Sequence, residues 1–164
     1  MKEKDKKYLM KLGKLIVSFA IPLLIGVISS IFTSSSVSTW YITLKKASFN
    51  PPNWIFGPVW TLLYILMGFS LFLVWKQGLK RRYVKAGLII FGIQIFLNFL
   101  WSILFFGLQN PLLAFIEIVI LWTAILFMII YFYKVKKTAA YAQIPYILWV
   151  SFAALLNLSI VLLN

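Results

Sequence analysis

Gln94, Asn98, Trp101, Ser102 and Phe105 fall at offsets of four, seven, eight and eleven residues inside an uncharged run, the spacing of one helix face. Amides in such a run are costly unless they face protein or water. Two uses compete: hydrogen bonds that hold helices together, or polar contacts to a ligand. A second stripe, Trp60, Tyr64, Met67, Gly68, Leu71 and Trp75, carries two indoles, a phenol and a glycine. A third joins Trp149, Phe152, Ala153, Leu156 and Asn157. Glu117 is the one acid beyond residue 5. A structural hydrogen bond, a proton site and a ligand contact are all open to it. With no basic residue in the apolar part of any span, it is expected to be neutral at physiological pH. The chemistry these groups offer is stacking and hydrogen bonding. The chain has no histidine and no cysteine, which excludes disulfides, thiol chemistry and histidine-ligated zinc or haem. No phosphate-binding glycine loop, nucleophilic triad or carboxylate pair appears, so no conventional hydrolase or kinase, no metal and no resident cofactor is expected.

The elements that position these stripes are read from composition. The chain is 63% hydrophobic and 12% charged, about half the charged fraction of a soluble domain, roughly 25%. Its uncharged runs reach roughly 30 residues, whereas a membrane-spanning helix needs about 20. No run alternates polar and apolar residues as a barrel strand would. The expected fold is therefore all-α, a single domain over residues 1–164 built as a five-transmembrane-helix bundle. Helices are expected at about 15–34, 55–75, 86–106, 111–133 and 141–163. Pro22 is expected to kink the first, and Gly26 and Ser30 allow close helix approach. The aromatic loop 35–54, with Trp40, Tyr41, Phe49 and Trp54, is too rich in large rings for disorder and reads as a lid over one mouth of the bundle. Asn110 and Pro111 read as a cap and first position of the fourth helix.

The net charge of +13 would point to nucleic acid in a soluble protein. Here the basic residues flank apolar spans, so contact with membrane lipids is expected and nucleic acid is not. With five helices, fourteen Lys/Arg fall on one side and only Lys45 and Lys46 on the other. The positive-inside rule puts the N-terminus in the cytoplasm and the aromatic loop and C-terminus outside. The first apolar stretch is too long for a cleaved leader. Two sterol-type strings, Leu79–Tyr83–Lys85 and Leu126–Tyr131–Lys134, are of a kind expected by chance where lysines flank aromatic belts.

Trp40-Tyr41, Lys46, Pro51-Pro52, Trp54, Gly57-Pro58-Val59-Trp60 and Leu63-Tyr64 together resemble the signature of the translocator-protein family, also called tryptophan-rich sensory proteins. The resemblance continues through Gln94, Asn98 and Trp101, through Glu117, and through Pro145-Tyr146, Trp149, Phe152-Ala153 and Asn157. The chain departs from it at Ala47, Phe49 and Asn50, where the family usually has proline, tryptophan and histidine. Leu158 and Leu162 stand where animal members carry the Tyr and Arg of a sterol motif.

The resemblance implies a five-helix bundle, often a homodimer, in a bacterial cell membrane, with a ligand cavity under the first loop. Family members bind porphyrins, and animal members also bind isoquinoline carboxamide and benzodiazepine drugs and cholesterol. Carried over by position, the cavity is lined by Ser30, Thr33, Phe56, Trp60, Gln94, Asn98, Leu113, Ile116, Trp149, Ala153 and Leu156. The helical stripes independently pick Trp60, Asn98 and Trp149. The function this implies is binding of porphyrins or similar flat apolar molecules, as ligand or substrate, in porphyrin homeostasis or a stress response. The alternatives are light- or oxygen-dependent porphyrin breakdown through Trp60 and Trp149, and transport of porphyrin or lipid. A purely structural subunit would bind no such ligand.

Overall fold

The computed structural model describes residues 3–164, so Lys2 of the basic N-terminal stretch lies outside the described residues. Long helices are α1 (Glu3–Val37), α2 (Phe56–Trp75), α3 (Arg82–Ser102), α4 (Pro111–Val135) and α6 (Ile144–Leu163), the last led in by a short α5 (Lys137–Tyr141). Among the described residues, five helical segments are long and apolar enough to cross a membrane. The protein is an all-α, multi-pass integral membrane bundle.

Three boundaries differ from expectation. α1 begins at Glu3, not near residue 15, and ends at Val37. Lysines and acids at helical spacing continue the helix beyond the lipid, as in the Lys7–Glu3 pair at 3.1 Å. At 1.5 Å per residue, 35 residues reach about 52 Å, well past the ~30 Å hydrocarbon core. α1 runs unbroken through buried Pro22. α3 starts at Arg82 and its last turn widens into a π-turn, Ile103–Gly107. The fifth span is broken at Ala142-Gln143, ahead of Pro145. Pro145 has no N–H and fits the first turn of α6.

Lipid supplies no hydrophobic drive between helices, so packing and interhelical hydrogen bonds hold the bundle. α1 packs on α2, and α4 packs on both α3 and α6. Small residues set the closest approach. A Cβ at Gly68 would lie 2.9 Å from the Phe19 backbone Cα. Ser70 Oγ donates to the Ala139 carbonyl at 2.9 Å, and Gln143 Nε2 donates to Ser70 Oγ at 2.7 Å, tying α2 to the start of the fifth span. Trp122 Nε1 donates to Ser151 Oγ at 2.8 Å, tying α4 to α6. The Asn110 side chain accepts from the Leu113 N–H at 3.0 Å and caps α4. Lys14 Nζ lies 5.9 Å from the centre of the Trp75 ring and marks the level where the basic face begins.

Candidate functional site

The lid is built from single turns, not a coil. Tyr41–Thr43 and Asn53–Ile55 are short 3-10 turns joined through the stiff Pro51-Pro52 stretch. Ser36 Oγ donates to the Phe106 carbonyl at 2.7 Å, and Tyr41 OH donates to Asn50 Oδ1 at 3.1 Å. Burial raises the Tyr41 phenol above its ordinary pKa, which keeps it a neutral donor. Trp40 meets Phe105 edge-on at 5.5 Å, and Lys46 Nζ sits 4.5 Å over the Tyr41 ring. At the far side the Asn164 side chain grips the lid twice, accepting from the Lys45 N–H at 3.0 Å and donating to the Lys45 carbonyl at 3.1 Å.

Beneath the lid lies a cavity of about 230 Å³, lined by α1, α2, α3 with its π-turn, α6 and the lid. Its lining is mostly apolar, as ligand pockets are. Ser30, Asn53 and Gly57 on the lining are exposed, and the cavity opens there. Trp60 and Trp149 both face it. Trp60 stacks on Tyr64 at 5.7 Å, and Trp149 meets Phe56 edge-on at 5.9 Å. Trp149 Nε1 is buried and makes no hydrogen bond.

The floor is a chain of hydrogen bonds. Tyr64 OH donates to Asn98 Oδ1 at 2.8 Å, Asn98 Nδ2 donates to Tyr146 OH at 3.2 Å, and Tyr146 OH donates to Gln94 Oε1 at 2.9 Å. This chain crosslinks α2, α3 and α6, the first of the two uses weighed for the amides. Asn98 holds the bundle and also lines the cavity. Trp101 Nε1 donates to Asn157 Oδ1 at 3.2 Å, and Asn157 Nδ2 donates to the Pro111 carbonyl at 2.8 Å. That pair closes the cavity wall next to α4. Gly26 keeps Tyr64 in place, since a Cβ there would lie 2.5 Å from the Tyr64 ring.

Of the residues expected at the cavity, Ser30, Thr33, Phe56, Trp60, Asn98, Trp149, Ala153 and Leu156 lie on it. Gln94 is fully buried one turn below, behind Tyr146. Leu113 and Ile116 do not reach it; they are 42% and 53% exposed on the outer face. The inward stripe of α4 is Ala114, Glu117, Ile118, Leu121, Ile125 and Met128. That period leaves Leu113 and Ile116 off-axis, and no α4 residue lines the cavity. Sequence reasoning missed Tyr41, Asn53, Tyr64 and the π-turn phenylalanines Phe105 and Phe106 as lining residues. Tyr41 and Tyr64 stand in quoted motifs and Phe105 on the amide stripe. Phe106 has no such signal, because the wider π-turn rotates it inward off the α-helical period.

Glu117 is 5% exposed, and among the described residues it forms no ion pair and neither carboxyl oxygen has a hydrogen-bond partner. An amide of the same volume replaces it without stranding a charge. Glu117→Gln is expected to change stability by less than about 1.5 kcal/mol, read as a small shift in the melting midpoint. A collapse on that change would instead reveal a charged, paired carboxylate.

The TspO/MBR family model matches residues 18–163. Tryptophan-rich protein TspO of Archaeoglobus fulgidus is 47% identical over 156 residues, covering 94% of this chain and 99% of its own length. Tryptophan-rich protein TspO of Chlorobaculum tepidum is 45% identical over 87% of this chain and 90% of its own length. The human translocator protein is 33% identical over 79% of this chain and 78% of its own. With the lid, the paired indoles and the polar floor assembled at the motif positions, these matches place the chain in the TspO/MBR family.

Proposed function

We propose that this protein binds porphyrins and similar flat apolar molecules under its lid, as a sensor or carrier in porphyrin homeostasis or a stress response. The observation that carries this reading is the cavity walled by Trp60 and Trp149, with a buried Trp149 N–H that has no partner. Indole faces favour a flat aromatic ligand, since stacking and buried area supply affinity without a metal ligand. A homodimer is part of the same reading, by family resemblance. Relatives named for translocation or for tryptophan richness are in keeping with it.

Titration of the purified protein with protoporphyrin in the dark tests it. A saturable spectral shift is expected, and no saturable change would refute it. The same titration under light addresses the second reading, which the placement of both indoles on one cavity favours. Light-dependent loss of porphyrin absorbance, abolished by Trp60→Phe or Trp149→Phe, would make the protein an enzyme.

The orientation belongs to this proposal too, with the lid and C-terminus outside a bacterial cell membrane and the basic face in the cytoplasm. It rests on the fourteen-to-two imbalance of Lys/Arg. In this cysteine-free chain, a Lys80→Cys variant is expected to resist an impermeant thiol reagent in intact cells and to react after lysis. Reaction in intact cells would invert the topology.

A further inference from the structure

On a face of α3 beside the one that lines the cavity, α3 and α4 leave an open apolar groove. Ile90, Ile93 and Leu97 line it from α3, and Ile120 and Phe127 from α4, and it ends at Tyr131. From Ile120 to Tyr131 the helix rises about 16 Å, so the groove runs from the basic face toward mid-membrane. Ile93, Ile120 and Phe127 are about half exposed.

The end of this groove is where the two sterol-type strings meet. The Tyr83 and Tyr131 rings are 6.2 Å apart, and Lys134 Nζ lies 5.0 Å and 5.9 Å from their centres. Two separate motifs in the sequence are thus one site in space. In the adjoining loop and helix ends, Lys80, Arg81, Arg82, Lys85, Lys136 and Lys137 are all exposed. The α2–α3 loop, α3 and α4 contain no acid except buried Glu117, so none of their carboxylates neutralises this cluster. A sterol offers a single hydroxyl and gives no reason for so much positive charge. A diacyl lipid with an anionic headgroup matches both ends of the site: chains along the groove, phosphate against the cations.

We propose that the α3–α4 groove, closed at the basic face by Tyr83, Tyr131 and Lys134, is a binding site for one anionic phospholipid. The site is independent of the cavity under the lid, and its occupant is structural or regulatory lipid, not the porphyrin-class ligand.

The test is native mass spectrometry of delipidated protein offered phosphatidylglycerol or phosphatidylcholine with the same acyl chains. Phosphatidylglycerol is expected to be retained about tenfold more strongly. Lys134→Gln with Arg82→Gln should remove most of that preference, about tenfold, since each basic residue near the headgroup contributes measurably. Ala124→Phe, which fills the groove floor, should lower retention of phosphatidylglycerol while the charges stay. Melting curves on each variant confirm that the readings come from folded protein. Equal retention of both lipids, or a preference unmoved by the charge variants, would overturn the proposal. So would competition by glycerol phosphate alone, which indicates a free-anion site, or displacement by a sterol. Efficient disulfide dimerisation through Thr123→Cys would also overturn it, because a second copy would then cover the groove.

Discussion

Trp149→Ala is expected to weaken protoporphyrin binding by about tenfold or more, without a matching loss of fold. Trp149 lines the cavity, is braced by Phe56 and Phe152, and has its N–H free. Aromatic contact contributes roughly 1 kcal/mol beyond area burial, the lost contact area adds to that, and 1.4 kcal/mol is a factor of ten. Phe96→Ala is the control, because Phe96 is 60% exposed on the outer face of α3 and its loss should leave affinity unchanged. If instead the Trp149 variant melts earlier but its folded fraction binds porphyrin as tightly as before, the indole only packs the bundle.

Gly68→Ala is expected to be the most damaging single-methyl change. The added Cβ would meet both the backbone Cα and the ring Cδ1 of Phe19 at 2.9 Å. A ring can turn aside, but the backbone atom moves only if α1 moves away from α2. Overpacking of this kind costs about 1–3 kcal/mol, on the order of 5 °C in melting midpoint. Prying α1 from α2 also loosens the Gly26–Tyr64 contact and so the Tyr64–Asn98 hydrogen bond on the cavity floor. The comparison is Gly92→Ala, where nothing lies within 4 Å of the new Cβ. That change should be neutral or slightly stabilising, because alanine is the better helix former. Equal melting of the two variants would mean that α1 and α2 are not held at this distance.

The parts of this structure that depend on period and solvent were legible in the sequence. Long uncharged runs specify spans because lipid leaves the backbone no other option, and the stripes through Trp60, Asn98 and Trp149 point to one space because each is the polar or aromatic exception on its helix. The extension of α1 to Glu3 was not legible, since lysine-rich turns beyond the lipid look like a tail until their spacing is weighed. Leu113 and Ile116 were misplaced because position alone assigned them, while the α4 stripe through Ala114 and Glu117 pointed the other way. Phe106 was invisible for a different reason: a π-turn changes the rotation per residue, and no residue type encodes it. The Tyr83–Tyr131 pairing is equally hidden, because it arises only when antiparallel α3 and α4 bring two distant strings to one end.

The central claim is that the space between Trp60 and Trp149 is where the porphyrin sits. A blocking experiment tests it most directly, and the absence of native cysteine makes it clean. Ser30 is an exposed residue on the cavity lining, and Leu155 is 58% exposed on the outer face of α6. Ser30→Cys and Leu155→Cys would each be coupled to a bulky maleimide and titrated with protoporphyrin in the dark. The account predicts that the label at position 30 abolishes the saturable spectral shift and the label at position 155 leaves it intact. Unchanged binding with position 30 fully labelled would contradict it.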